Sequence, residues 1–143
     1  MTDLPSLLRR WDRTAALLAA APPSATLARW GLGAMLVVAG AHKLVAPAVW
    51  AGYVVDWLAP LLVVSPTTFM LLNGPPEIAV GVGLVADRYT GVGAAVATVS
   101  LAATSAYLLV VALTQGLFWD VFARDVGLTG LAAAVLVEAV RTE

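Results

Sequence analysis

Four stretches of this sequence stay apolar for about the length that a bilayer demands: residues 24–45, 66–86, 89–113 and 121–140. A spanning helix needs about 20 such residues, because each adds about 1.5 Å and the hydrocarbon core is about 30 Å thick. No charge occurs from Trp30 to Ala41, and residues 89–113 carry only hydroxyls as polar side chains. Of 143 residues, 61% are hydrophobic and 12% charged, about half the charged share of an ordinary soluble domain. A single soluble core cannot hide that much apolar surface, but lipid does not require it to be hidden. The sequence therefore predicts an all-α integral membrane protein, a four-helix bundle forming one domain over 24–143 behind a separate segment over 1–23.

That first segment reads as a short amphipathic helix. Leu4, Leu7, Leu8, Trp11 and Leu18 recur near helical spacing, and Arg9, Arg10 and Arg13 give it a basic side suited to the headgroup region. It lacks the continuous apolar run of a cleavable signal peptide. If the four stretches all cross, residues 1–23, the 87–88 turn and the C-terminus share one side. That side holds Arg9, Arg10, Arg13, Arg29, Arg88 and Arg141, against Lys43 and Arg124 on the other. The excess of basic residues predicts both termini in the cytoplasm, in a multi-pass protein of the plasma membrane.

Several features break the apolar pattern. Between the first two spans, Trp50, Tyr53, Val54, Trp57, Leu58 and Leu61 fall on one helical face, which predicts a short interfacial helix. In the second span Asn73-Gly74-Pro75-Pro76 precedes Glu77. Two prolines cannot donate to the preceding turn, so a helix break is expected beside the carboxyl group. In the third span Ser100, Thr104 and Tyr107 share a face. Gly31, Gly33 and Gly40 leave a smooth side on the first span for close helix contact, and Gly81-Val-Gly83 and Gly91-Val-Gly93 read as packing glycines rather than phosphate loops.

The candidate site consists of ionisable residues within these spans: His42, Lys43, Glu77, Tyr107, Arg124 and Asp125. A charge at membrane depth costs about 3 kcal/mol on insertion scales and seldom survives without a partner or a task. In the four-span topology all six fall in the outer half, with Glu77 deepest at ~15 Å below the outer end of its span. A polar chamber there lets Lys43 or Arg124 pair with Glu77 or Asp125, and lets Tyr107 donate to either carboxylate. A plainer reading exists for some of them: Lys43 and Arg124 can snorkel, and Asp125 complements a helix N-terminus. Glu77, in mid-span, has no such plain reading. With one histidine and no cysteine, a metal cage, a disulfide and a thiol relay have no ligands in this chain. The net charge of −1 gives no field that favours nucleic acid.

The sequence resembles the DoxX family of small four-helix membrane proteins, a group that includes MauE-like proteins. The likeness rests on Arg29-Trp30-Gly31-Leu32-Gly33, Gly40-Ala41-His42-Lys43-Leu44, Pro47, the stretch from Glu77 to Leu84, and Arg124-Asp125-Val126-Gly127-Leu128. The resemblance implies a membrane subunit associated with an oxidoreductase, in some members through sulfur or quinone chemistry. The residues fix no cofactor; a quinone is the one the resemblance suggests, with Glu77, His42 and Tyr107 as the groups facing its oxygens. Its partners would be membrane lipid and a membrane or extracytoplasmic protein, or a second copy of the chain. Two other functions fit the same residues. One is a non-catalytic assembly or cargo-binding subunit that docks through the aromatic connector. The other is a small proton-coupled transporter using Glu77, which the charge bias between the two sides disfavours.

Overall fold

The computed structural model describes residue 11, residues 14–16 and residues 18–142. Most of the N-terminal segment lies outside the described residues, including Leu4, Leu7, Leu8, Arg9, Arg10 and Arg13 of its expected amphipathic helix. The described chain is helical, with no strand among the described residues. Its elements are α1 (Ser24–Val45), α2 (Pro47–Ala51), a 3-10 turn at Ala59–Leu61, α3 (Pro66–Val85), α4 (Thr90–Gln115) and α5 (Trp119–Thr142).

Local chemistry sets the boundaries. The Ser65 side chain accepts from the Thr68 amide at 3.2 Å, and Pro66 occupies the first turn of α3, where its missing N–H costs nothing. A tight turn over Asp87 and Tyr89, both with φ of 55°, reverses the chain into α4. The Asp87 carboxylate accepts from the Thr90 hydroxyl at 2.8 Å and secures that turn. Gly116, at φ 72°, ends α4 in the left-handed conformation that glycine adopts without strain.

Among the described residues, three helices are long and apolar enough to cross a membrane: α1 and α3, each with mean hydropathy 1.3, and α4 with 2.0. Their outward faces are apolar as well, with Val38, Leu72, Val96, Val99 and Leu113 exposed. In water such surfaces would be costly; in lipid they are the natural contact. The fourth long helix, α5, carries Asp120, Arg124, Asp125, Glu138 and Arg141.

Contacts group the helices as α1 on α3 and α4 on α5, with α1 also touching α5 and α3 touching α4. Leu32 and Leu36 of α1, Leu84 of α3, Ala94 and Ala97 of α4, and Ala132 and Val135 of α5 form the buried cluster joining them. The α1–α3 seam is made by glycine. A Cβ on Gly33 would lie 2.7 Å from the Gly81 carbonyl oxygen, and one on Gly40 would lie 2.6 Å from that of Gly74. The two pairs are seven residues apart on each helix and run antiparallel, so backbone meets backbone twice along one face. Gly31, expected on the same smooth face, has open space around it.

Two expectations need correction. The helix break at Asn73, Pro75 and Pro76 does not occur: α3 runs through both prolines as one helix. Pro75 and Pro76 are exposed, so their rings face outward, while Gly74 is buried against Gly40 on the opposite side. The helix loses two backbone donors, but packing on α1 holds its path, and Asn73 Nδ2 adds a bond to the Phe69 carbonyl at 2.7 Å. Nor is the connector one interfacial helix. Only Pro47–Ala51 is α-helical, and turns follow from Gly52 to the 3-10 turn at Ala59–Leu61. Glycine at the end of α2 and Pro60 divide a stretch whose apolar spacing alone suits a helix.

The glycine seam makes a direct prediction for unfolding measured in detergent. Gly81→Ala forces a methyl into the Gly33 backbone and destabilises by about 1–3 kcal/mol. Gly31→Ala meets nothing and leaves stability unchanged or raised by up to about 1 kcal/mol. Equal effects of the two substitutions would contradict the seam.

Candidate functional site

α1 ends, and α3 begins, at the same end of the molecule, and this polarity brings Lys43 and Glu77 together. Along a helix the Cα–Cβ bond leans toward the N-terminus. The Lys43 side chain therefore leans from the end of α1 back toward its middle, and Glu77, in the middle of α3, leans toward the end Lys43 comes from. They meet: Lys43 Nζ donates to Glu77 Oε1 in an ion pair whose side chains are 11% and 23% exposed. This is one of the pairings the sequence allows. The other carboxylate oxygen, Glu77 Oε2, is buried without a hydrogen-bond partner among the described residues. Such an oxygen costs about 1–3 kcal/mol in a protein interior unless some donor reaches it.

One aromatic side chain of the connector, Trp50, lies over the cation of this pair. Lys43 Nζ lies 4.7 Å from the centre of the Trp50 ring, within cation–π range. The Trp50 indole N–H donates to His42 Nδ1 at 2.9 Å. Because an indole nitrogen only donates, His42 Nδ1 must be the unprotonated nitrogen, which leaves Nε2–H as the outward donor of an exposed ring. Glu77, Lys43, Trp50 and His42 thus form one continuous polar run.

Tyr107 acts on the connector rather than on a carboxylate. Its hydroxyl donates to the Tyr53 carbonyl at 2.7 Å and accepts from the Val55 amide at 3.1 Å. Two backbone groups in a turn with no helix of its own are thereby satisfied from α4. Edge-on contacts of Tyr53 with Trp50 and Phe118, and of Trp57 with Tyr107, complete the aromatic cluster. Ser100 and Thr104, expected beside Tyr107, are exposed, and Thr104 donates to the Ser100 carbonyl of its own helix.

Arg124 and Asp125 pair with each other, Nε to Oδ1 at 3.1 Å, and not with Lys43 or Glu77. The Asp125 side chain is 9% exposed and that of Arg124 53%. Asp125 belongs to the buried stripe of α5, with Val121, Ala132, Val135 and Ala139. One turn on, the Thr129 hydroxyl donates to the Asp125 carbonyl at 2.8 Å and lies 3.1 Å from the Ser105 hydroxyl across the α4–α5 contact. The single chamber expected for all six residues is therefore resolved into two polar groups on different helix pairs.

Three features escape the sequence pattern: the Trp50 bridge, the Ser105–Thr129 contact, and the role of Arg29. Arg29, counted from the sequence only as a basic residue near the membrane surface, is tied into the fold. Its Nη1 donates to the carbonyls of Leu84 and Val85 and lies 3.4 Å from Asp87 Oδ1, closing the C-terminus of α3. A cation there also complements the negative end of the helix dipole.

The family model described as DoxX matches residues 24–110. The match covers α1, α2, α3 and most of α4, and so includes His42, Lys43, Glu77 and Tyr107 while ending before Arg124 and Asp125. No curated protein and no solved structure matches the chain.

Two substitutions test this geometry. Lys43→Met leaves a carboxylate without its cation and costs about 3 kcal/mol, whereas methionine at both 43 and 77 recovers most of that loss. Equal destabilisation by the single and double variants, measured by unfolding in detergent, would refute the pair. Tyr107→Phe strips the partners from Tyr53 and Val55, costing about 1–2 kcal/mol. Hydrogen exchange should then accelerate at the Val55 amide and not in the α1–α3 seam.

Proposed function

The chain belongs to the DoxX family, and from that premise we propose that it is a multi-pass subunit of a membrane oxidoreductase whose Lys43–Glu77 pair forms the polar end of a quinol site. In this reading α5 is a fourth membrane crossing and completes a four-helix bundle. Its 24 residues reach about 36 Å, and Val126–Val137 is free of charge. The membrane is the plasma membrane, with both termini cytoplasmic. Among the described residues, Arg29, Arg88 and Arg141 gather at one end of the helices, and only Lys43 and Arg124 lie toward the other.

The observation that carries the quinol reading is the buried, unpartnered Glu77 Oε2. A quinol hydroxyl is a donor that can reach a carboxylate from within lipid, and its oxygen accepts from the ammonium on the other side. Trp50 supplies a flat apolar wall, as aromatic side chains in small-molecule sites do. A bound quinol supplies reducing equivalents. This chain's own residues then bind and orient the hydroxyl, Glu77 through its free carboxylate oxygen as the group that accepts its proton and Lys43 through its ammonium, while Trp50, held by its bond to His42, keeps water from the pair. Tyr107 holds the connector and positions Trp50 rather than contacting the ligand. With no cysteine in the sequence, sulfur chemistry in such a complex resides on the partner.

A second reading, a non-catalytic assembly or cargo-binding subunit, draws on the exposed apolar side chains of the connector, Trp57, Leu61 and Val63. One experiment separates the two. Purified protein is titrated with a short-chain quinol while tryptophan fluorescence is followed, for the wild type and Glu77→Gln. The quinol reading expects saturable quenching in the wild type and at least about tenfold weaker binding in Glu77→Gln, the worth of one charge-assisted hydrogen bond. Absent quenching, or equal affinities in the two proteins, rejects it in favour of assembly.

A further inference from the structure

The helix ends farthest from Glu77 carry a second polar site. A cavity of about 170 Å³ lies among the start of α1, the start of α4 and the end of α5, with Thr26, Arg29, Asp87, Thr90, Glu138 and Thr142 in its wall. A larger cavity of about 320 Å³ shares Ala25, Val135 and Glu138 with it and extends along Ala28 and Ala134. The first has side chains of both charges in its wall; the second runs over small residues between α1 and α5. We propose that together they bind one ethanolamine phospholipid of the surrounding bilayer, its headgroup in the first cavity and the start of its acyl chains in the second.

The charges select this headgroup. Arg29 and Asp87 already face each other at 3.4 Å, and Asp87 also accepts from Thr90. All the recorded contacts of Arg29 with α3 and Asp87 run through Nη1, which leaves its other guanidinium nitrogens as donors available to a phosphate oxygen in the cavity that Arg29 lines. No hydrogen bond or ion pair reaches the Glu138 carboxylate among the described residues. It stands in the last turns of α5, where free carbonyls favour a cation. The cavity therefore offers a place for a phosphate beside Arg29 and a cation beside Glu138. An anionic headgroup brings no cation for Glu138. A choline headgroup brings one without N–H donors, whereas a primary ammonium brings three. The depth agrees, since Arg88 and Arg141 place this end at headgroup level.

The test is thermal unfolding of the full chain in detergent micelles. The probes are dioleoyl phosphatidylethanolamine, the matching phosphatidylcholine and phosphatidylglycerol, and water-soluble phosphoethanolamine. A ligand bound to the folded state raises Tm with its concentration. The ethanolamine lipid should raise Tm most, and soluble phosphoethanolamine should not. Glu138→Gln, at an exposed position, should weaken the ethanolamine lipid about tenfold and erase its advantage over choline. Ala134→Leu, which fills the second cavity, should weaken it as well. Equal shifts from the three lipids would mean ordinary solvation by lipid and overturn the proposal. So would a preference that survives in Glu138→Gln, or soluble phosphoethanolamine matching the lipid.

Discussion

An ammonium and a carboxylate taken out of water each lose several kcal/mol of solvation, and they stay charged only when held against each other. Lys43 and Glu77 are in that position, on helices whose outward faces are otherwise apolar. The antiparallel course of α1 and α3 aims the two side chains at one another, and the glycine pairs Gly33–Gly81 and Gly40–Gly74 bring the backbones close enough for them to touch. Were the seam wider by one methyl group, Lys43 would have to reach farther to meet Glu77. Packing and electrostatics are thus one device here, because the pair needs the close approach.

The connector depends on the same pair. It has little regular structure between Gly52 and Leu58, so its backbone polar groups must find partners elsewhere. Tyr107 supplies two from α4, and Trp50 is fixed from the other side by the Lys43 ammonium and His42. The result is a tryptophan held over the ammonium of a pair whose carboxylate keeps one oxygen without a partner among the described residues. The pair thus combines a fixed cation, a fixed anion and one free acceptor, and the proposed quinol site rests on that combination.

How much of this is legible in the sequence depends on how local each cause is. The long helices can be read because hydrophobic length is a property of consecutive residues; each lies within a few residues of its predicted bounds. Glu77 stands out because a carboxyl group in mid-span has few explanations, but the sequence leaves Lys43 and Arg124 as alternative partners, and only the packing of α1 on α3 chooses Lys43. Causes that act across the fold are hidden. The spacing of Trp50, Tyr53, Trp57 and Leu61 suits a helix, yet tertiary bonds from Tyr107 and the aromatic contacts hold turns instead. Pro75 and Pro76 signal a break, yet α3 continues through them with Gly74 buried on Gly40. Arg29 reads as an interfacial charge, because its acceptors, Leu84, Val85 and Asp87, are more than fifty residues away.

Lys43 is the one lysine in the chain, so its ammonium nitrogen can be labelled uniquely in protein reconstituted into bilayers. Solid-state NMR then reads the dipolar coupling between that nitrogen and the carboxyl carbon of Glu77, with Glu77→Gln identifying the signal. A coupling matching a separation of about 4 Å or less is the predicted result. A lysine nitrogen that shows no coupling to Glu77 would contradict the account, for nothing else proposed here would then hold a carboxylate at that depth.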